Sequence, residues 1–132
     1  MSLLLDTDTC SHYLRGAPRV HSRFIQHMGR LHLSSISLGE LYTLAFRAKA
    51  SATFLRGVQN LLHEVQLLTV DHDVAYQFGQ VRAQLLDQGQ PVATADLLIA
   101  ATALLHGLTL VTHNVQDFQN IPGLQVVDWL VP

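Results

Sequence analysis

This 132-residue chain has one cysteine, Cys10, and one tryptophan. A lone cysteine excludes an internal disulfide and a thiolate metal cluster. Lys, Arg, Asp and Glu make up only 14% of the residues, and the net charge is −2. That balance speaks against a protein that grips nucleic acid through bulk positive charge. No apolar run is long enough to span a bilayer, and the first residues lack the basic start and cleavage site of a signal peptide. A cytoplasmic protein without membrane attachment is expected. Glycine-rich phosphate loops are missing, which disfavours a nucleotide-binding enzyme of the usual kind. The eight histidines form no HxH or HxxxH pair, so spacing offers no zinc site. Cys10 with a histidine has no nucleophile signature around it.

What is present is hydrophobic: 48% of the residues, with a mean hydropathy of +0.23. One domain of this size buries a single core, and residues 1–132 are read as one domain. The low charge suggests apolar surface covered by a partner or a second copy. Charge is unevenly spread. Residues 1–60 hold seven of the eight Lys and Arg against three acids, a balance of +4, and residues 61–132 hold Arg82 alone against seven acids, a balance of −6. The basic half either seats a phosphate backbone or is a solvated surface, and composition leaves both open.

The longest apolar stretch follows Pro91 and runs from Asp96 to Gly107. It reads as a buried helix, with Thr94 as N-cap and Gly107 as the residue past its end. Before it, Ser2–Leu5 reads as a buried strand, Asp8–Arg15 and Arg19–His27 as helices, and Leu31–Ile36 as a strand. Ser37 and Glu40 have the spacing of a capping box for the next helix. Another helix is expected over Ala52–Glu64, a strand over Val65–Val70, and a long helix after Asp71 and Asp73, two candidate caps. Leu108–Val111 and Leu124–Val127 read as the last strands, with a polar loop from Thr112. Five strands separated by helices predict an α/β fold: a three-layer α/β/α sandwich around a mostly parallel five-stranded sheet.

Sites in such sheets form beyond the carboxyl ends of the strands, where strand order reverses. Four acids fall there. Asp6 follows the first strand, Glu40 opens the helix after the second, Asp96 heads the buried helix, and Asp117 lies in the loop after the fourth strand. Each has an ordinary explanation as a turn residue, a cap, a helix-dipole partner or a surface acid. Together they repel one another unless a cation neutralises them. Hard oxygen ligands suit Mg²⁺ or Mn²⁺, and such a site activates water for phosphoryl-transfer chemistry.

The stretches Leu4-Leu-Asp-Thr-Asp-Thr9, Ser35-Ile-Ser-Leu-Gly-Glu40-Leu, Ala95-Asp-Leu-Leu-Ile-Ala100 and Leu110-Val-Thr-His-Asn-Val-Gln-Asp-Phe118, followed by Ile121-Pro-Gly, resemble PIN-domain proteins. Within that family they resemble VapC-type toxins of bacterial toxin–antitoxin pairs, over nearly the whole chain. The resemblance implies a Mg²⁺- or Mn²⁺-dependent endoribonuclease, a homodimer, acting on RNA and held inactive by a small antitoxin that inserts a segment into the active-site cleft. By position it carries the metal and catalytic roles onto Asp6, Glu40, Asp96 and Asp117, and the polar substrate loop onto Thr112 and Asn114. Position 8 is commonly Asn in these toxins and is Asp8 here. The fourth acid varies in the family, which leaves Asp117, Asn114 or both for that role. Arg47 and Arg56 of the basic half are the expected contacts to the RNA backbone. His113 adjoins the site, which leaves it a contact to phosphate or, the commoner case for such a residue, a surface role. A rival reading keeps the fold and the cleft but has them bind RNA or a partner peptide without catalysis.

Overall fold

The computed structural model describes residues 1–132. Three consecutive leucines explain its centre. Strand β1 (Leu3–Leu5) has all three side chains wholly out of solvent, although successive residues of a strand face opposite ways. A strand buried on both faces lies inside a sheet covered on both sides, the usual setting of parallel strands. Helix α1 (Thr7–Leu14) and helix α2 (Pro18–Gln26) lead from it to β2 (Leu31–Ser34). Helices α3 (Ser35–Ala45) and α4 (Ala52–Leu61) lead on to β3 (Gln66–Leu68). The chain then forms α5 (His72–Asp87), α6 (Thr94–His106), β4 (Thr109–Val111), the single turn α7 (Val115–Phe118) and β5 (Val126–Val127).

The sheet order is β3-β2-β1-β4-β5, and all four pairings are parallel. Leu3 and Leu5 pack with Val20, Phe24, Leu41 and Val58 under α1–α4. Leu4 faces the other way, against Val81, Leu85, Ile99 and Ala103 of α5 and α6. These two cores on opposite sheet faces are the expected α/β/α layers. Strand order reverses between β1 and β4, because the chain builds outward through β2 and β3 and then returns to the other side of β1.

Several boundaries differ from the sequence reading, and the reasons are local. The capping box at Ser37 does not form: α3 begins two residues after β2 ends its apolar pattern at Leu33, and Ser34 caps it by accepting the Ile36 N–H at 3.1 Å. Ser37 is then a buried residue inside the helix whose hydroxyl has no hydrogen-bond partner. Glu40 sits in the second turn, free of any capping duty. Thr94 is not the N-cap of α6 either; Ala93 holds that position without a side-chain bond, and Thr94 is the first helical residue. Of the two candidate caps for α5, Asp71 alone accepts a helix N–H, from Val74 at 2.9 Å. The polar loop after Thr112 winds into α7, because Phe118 and Ile121 have a core to enter. The edge strands β3 and β5 are shorter than their apolar runs suggest. Gly107 does terminate α6 in the left-handed conformation, φ 65°.

Candidate active site

The site is assembled at the reversal between β1 and β4. Asp6 is the first residue past the central strand, and its own N–H bonds to the Val111 carbonyl at the matching end of β4, 3.1 Å away. Only 5% of it is exposed. Its carboxylate caps α1 by accepting the Thr9 N–H at 2.8 Å, so Asp6 is also the cap that starts the helix. Burial raises its pKa above the ordinary value, and hydrogen bonds from Thr112 and Thr9 oppose that rise. The Thr9 hydroxyl ties the same helix turn to the Val111 carbonyl at 3.2 Å. Thr112, fully buried, is the next residue along β4, and its hydroxyl accepts the Asn114 N–H at 3.1 Å.

The remaining acids come from three other helices. Glu40, exposed on α3, accepts a short hydrogen bond of 2.5 Å from the Thr7 hydroxyl at the start of α1. Asp117 is exposed on α7. Asp96 is half-buried in the first turn of α6. Its pKa is raised, first by burial and then by the negative charges of Asp117, Glu40, Asp6 and Asp8. The other three acids named from the sequence therefore all act electrostatically on Asp96, together with a fifth, Asp8. Asp8 lies on the exposed side of α1, where it accepts from the Asn114 side-chain amide at 2.8 Å. No lysine or arginine forms an ion pair with any of them; the only ion pairs are His72–Asp73 and His113–Asp128.

Uncompensated carboxylates at one edge of a sheet are a donor set suited to a hard divalent cation. They do not form a closed cage. No three His, Cys, Asp or Glu side chains are gathered at ligand spacing, and Glu40 and Asp8 direct oxygens to Thr7 and Asn114. Mg²⁺ is ordinarily held by one or two carboxylates, with water and substrate phosphate completing its shell. The residues present fit that partial kind of site.

Two further features lie outside the acidic cluster. Arg47, just past the end of α3, lines a groove of about 870 Å³ with Arg15, Lys49 and Phe54. The Arg15 guanidinium lies 5.3 Å from the centre of the Phe54 ring. Arg56 does not line the groove; on α4 it reaches the Thr53 hydroxyl at 3.4 Å. The charge imbalance of the two halves pointed to this region, but only folding brings Arg15 beside Arg47. On the other side, His113 contacts Asp128 at 2.9 Å beside Asp117, a pairing across fifteen residues that no local pattern announces.

Comparison with known proteins agrees with this geometry. The PIN domain family model matches residues 3–124. The chain is 35% identical to the tRNA(fMet)-specific endonuclease VapC of Salmonella typhimurium, covering 98% of both chains. It is 30% identical to ribonuclease VapC1 of Haemophilus influenzae, again over 98% of each. Its fold superposes with a TM-score of 0.91 on a chain of the DNA-bound VapBC complex from Salmonella typhimurium, at 35% identity and 98% coverage of both. A chain of VapBC-1 from nontypeable Haemophilus influenzae gives a TM-score of 0.86 at 30% identity, with 99% of this chain and 100% of that one covered. The buried strand and the sheet reversal thus belong to a known lineage: this chain is a member of the PIN-domain family, on its VapC ribonuclease branch.

Proposed function

We propose that the chain is a divalent-metal-dependent endoribonuclease, the toxin of a VapBC-type toxin–antitoxin pair. The observation that carries the metal reading is the gathering of acids around Asp96, whose pKa is raised first by burial and then by Asp117, Glu40, Asp6 and Asp8, with no lysine or arginine paired to any of them. Asp6 and Asp96 are the residues that would hold Mg²⁺ or Mn²⁺, with Glu40 and Asp117 completing the acidic pocket. When bound, the ion supplies a nucleophilic water at neutral pH and shields the phosphodiester charge.

The chain's own residues set the geometry. Asp6 is immobilised by the Thr9 N–H and by its place at the end of a buried strand. Thr7 orients Glu40, and Asn114 orients Asp8. Asn114 supplies the polar wall against which RNA lies; Thr112, expected beside it as a substrate contact, is fully buried and instead holds the Asn114 N–H and the Asp6 carboxylate in place. Arg47 lies just past the C-terminal end of α3, the helix that carries Glu40. With Arg15 and Lys49 it offers the RNA backbone a cationic track leading away from the acids. Arg56, outside the groove, contributes long-range charge.

The likeness to VapBC complexes supports a small antitoxin as the partner that blocks this cleft. Exposed Phe46 (70%) and Tyr76 (64%) supply apolar surface suited to a homodimer. Similarity to a tRNA(fMet)-specific endonuclease makes tRNA the substrate to try first. The test is cleavage of purified tRNA by the metal-stripped chain, with and without added Mg²⁺ or Mn²⁺. Cleavage that returns only with the ion supports the proposal. RNA bound but uncut at every metal concentration would favour the non-catalytic reading.

A further inference from the structure

His113 and Asp128 are not used by the proposed chemistry, yet they form an organised pair. The His113 Nδ1 and Asp128 Oδ2 are 2.9 Å apart, and the other carboxylate oxygen, Oδ1, accepts the Leu130 N–H at 2.9 Å. Asp128 is thereby anchored to the backbone, and its side chain is only 13% exposed. The imidazole side chain remains 53% exposed. With Nδ1 engaged, the ring is held in one orientation with Nε2 and its faces available. A carboxylate that engages one ring nitrogen of a histidine and leaves the other free is a recurrent way to set ring direction.

The pair borders a recess of about 340 Å³ lined by His113, Asn114, Val115, Gln116, Asp117 and Asp128. Its volume lies at the lower end of small-molecule sites, which run from about 300 to 1,000 Å³. Its chemistry narrows the occupant. It contains no lysine or arginine and two carboxylates, so a phosphate is repelled. Amides from Asn114 and Gln116, together with the half-exposed imidazole, offer the hydrogen-bond and stacking partners that an unpaired nucleobase uses. The recess includes Asp117, so an occupant would lie directly beside the acidic site.

We propose that this recess seats one unstacked nucleobase of the RNA next to the scissile phosphate, with the His113 ring as its platform and Asp128 as the residue positioning that ring. The inference rests on the reading of the acidic site as an RNA site. It goes further in placing base recognition on the α7 side, opposite the basic groove.

The experiment uses the full chain and a short single-stranded RNA, together with copies in which one nucleotide at a time is made abasic. Binding is measured in EDTA and cleavage in Mg²⁺. In the parent protein, one abasic position should weaken binding about tenfold, as expected for a single lost stacking contact. His113→Phe keeps a flat ring and should keep that profile. His113→Ala should flatten it, and Asp128→Asn, which retains Oδ1 for Leu130 but removes the acceptor for the ring, should fall between. The loss should enter through KM with kcat little changed. An abasic profile unchanged in His113→Ala, a flat profile in the parent, or no RNA binding at all would overturn the inference. A parent that shows the profile but never cuts would leave the recess as a base site and refute the nuclease reading instead.

Discussion

Glu40→Gln separates the chemical role of the acidic site from its structural one. The substitution swaps one carboxylate oxygen for an NH₂ at nearly constant volume. Because Ser34, not Ser37, caps α3, the change touches no helix cap. The one structural contact at stake is the hydrogen bond from Thr7, which the remaining amide oxygen can still accept. A hydrogen bond is worth about 0.5–1.5 kcal/mol net, and one to a charged group somewhat more. Glu40 is exposed, so weakening this bond without losing it should cost no more than about 0.5 kcal/mol. Removing a negative charge that presses on Asp96 acts in the opposite direction. Thermal unfolding of the metal-free chain should therefore move by no more than about 2 °C, given a few degrees per kcal/mol at this size. Activity should behave otherwise. A hard cation loses a strong ligand, and a loss of about 3 kcal/mol of transition-state stabilisation lowers the rate by two orders of magnitude. A second measurement checks the electrostatics directly: titration of the Asp96 carboxyl by carbon-13 NMR in metal-free protein. Since Glu40 helps to raise that pKa, the variant should titrate at lower pH than the parent. Parent-like cleavage together with an unmoved Asp96 titration would refute both the metal role of Glu40 and the coupling on which it rests.

Asp96→Asn should abolish cleavage while leaving the fold intact. The folded-state pKa of Asp96 lies above its unfolded value of 3.8, so ionisation favours the unfolded chain; in metal-free buffer the variant should be more stable than the parent above that range, with the gain fading as pH falls through it. Equal stability at pH 7 and near pH 3.5 in chemical denaturation would contradict this. Arg47→Glu should weaken RNA binding and flatten its salt dependence by about 0.7 in log–log slope per lost single-strand contact, whereas Arg56→Glu should change it less; equal effects would remove the groove from RNA binding. Cys10 is wholly buried, and burial drives its thiol pKa far above the ordinary value. A thiol reagent should label it only as fast as the chain unfolds, and rapid stoichiometric labelling of native protein would show that α1 opens locally.

The sequence by itself determined the architecture. Leucines at positions 3, 4 and 5 demand burial on both faces, and alternation of strand and helix permits few arrangements other than a parallel sheet between helical layers. In such a sheet the residues at strand ends and the first turns of the helices share one edge. This is why the sequence alone assigns Asp6, Glu40, Asp96 and Asp117 to one edge, and why the likeness to PIN domains is visible in short separated stretches. The tertiary structure decided what depends on which surfaces meet. Ser34 and Ser37 are equally good caps by type, and the choice between them followed from where β2 leaves the sheet. Thr7 with Glu40 spans 33 residues and Asp8 with Asn114 spans 106, separations at which no local preference operates. The turn of α7 formed because Phe118 and Ile121 had a core to fill, and Arg15 joined Arg47 because α1 packs beside α3 and α4. Periodicity and chain order report the burial of each segment, whereas hydrogen bonds and charge clusters between distant segments exist only once packing has fixed their distances.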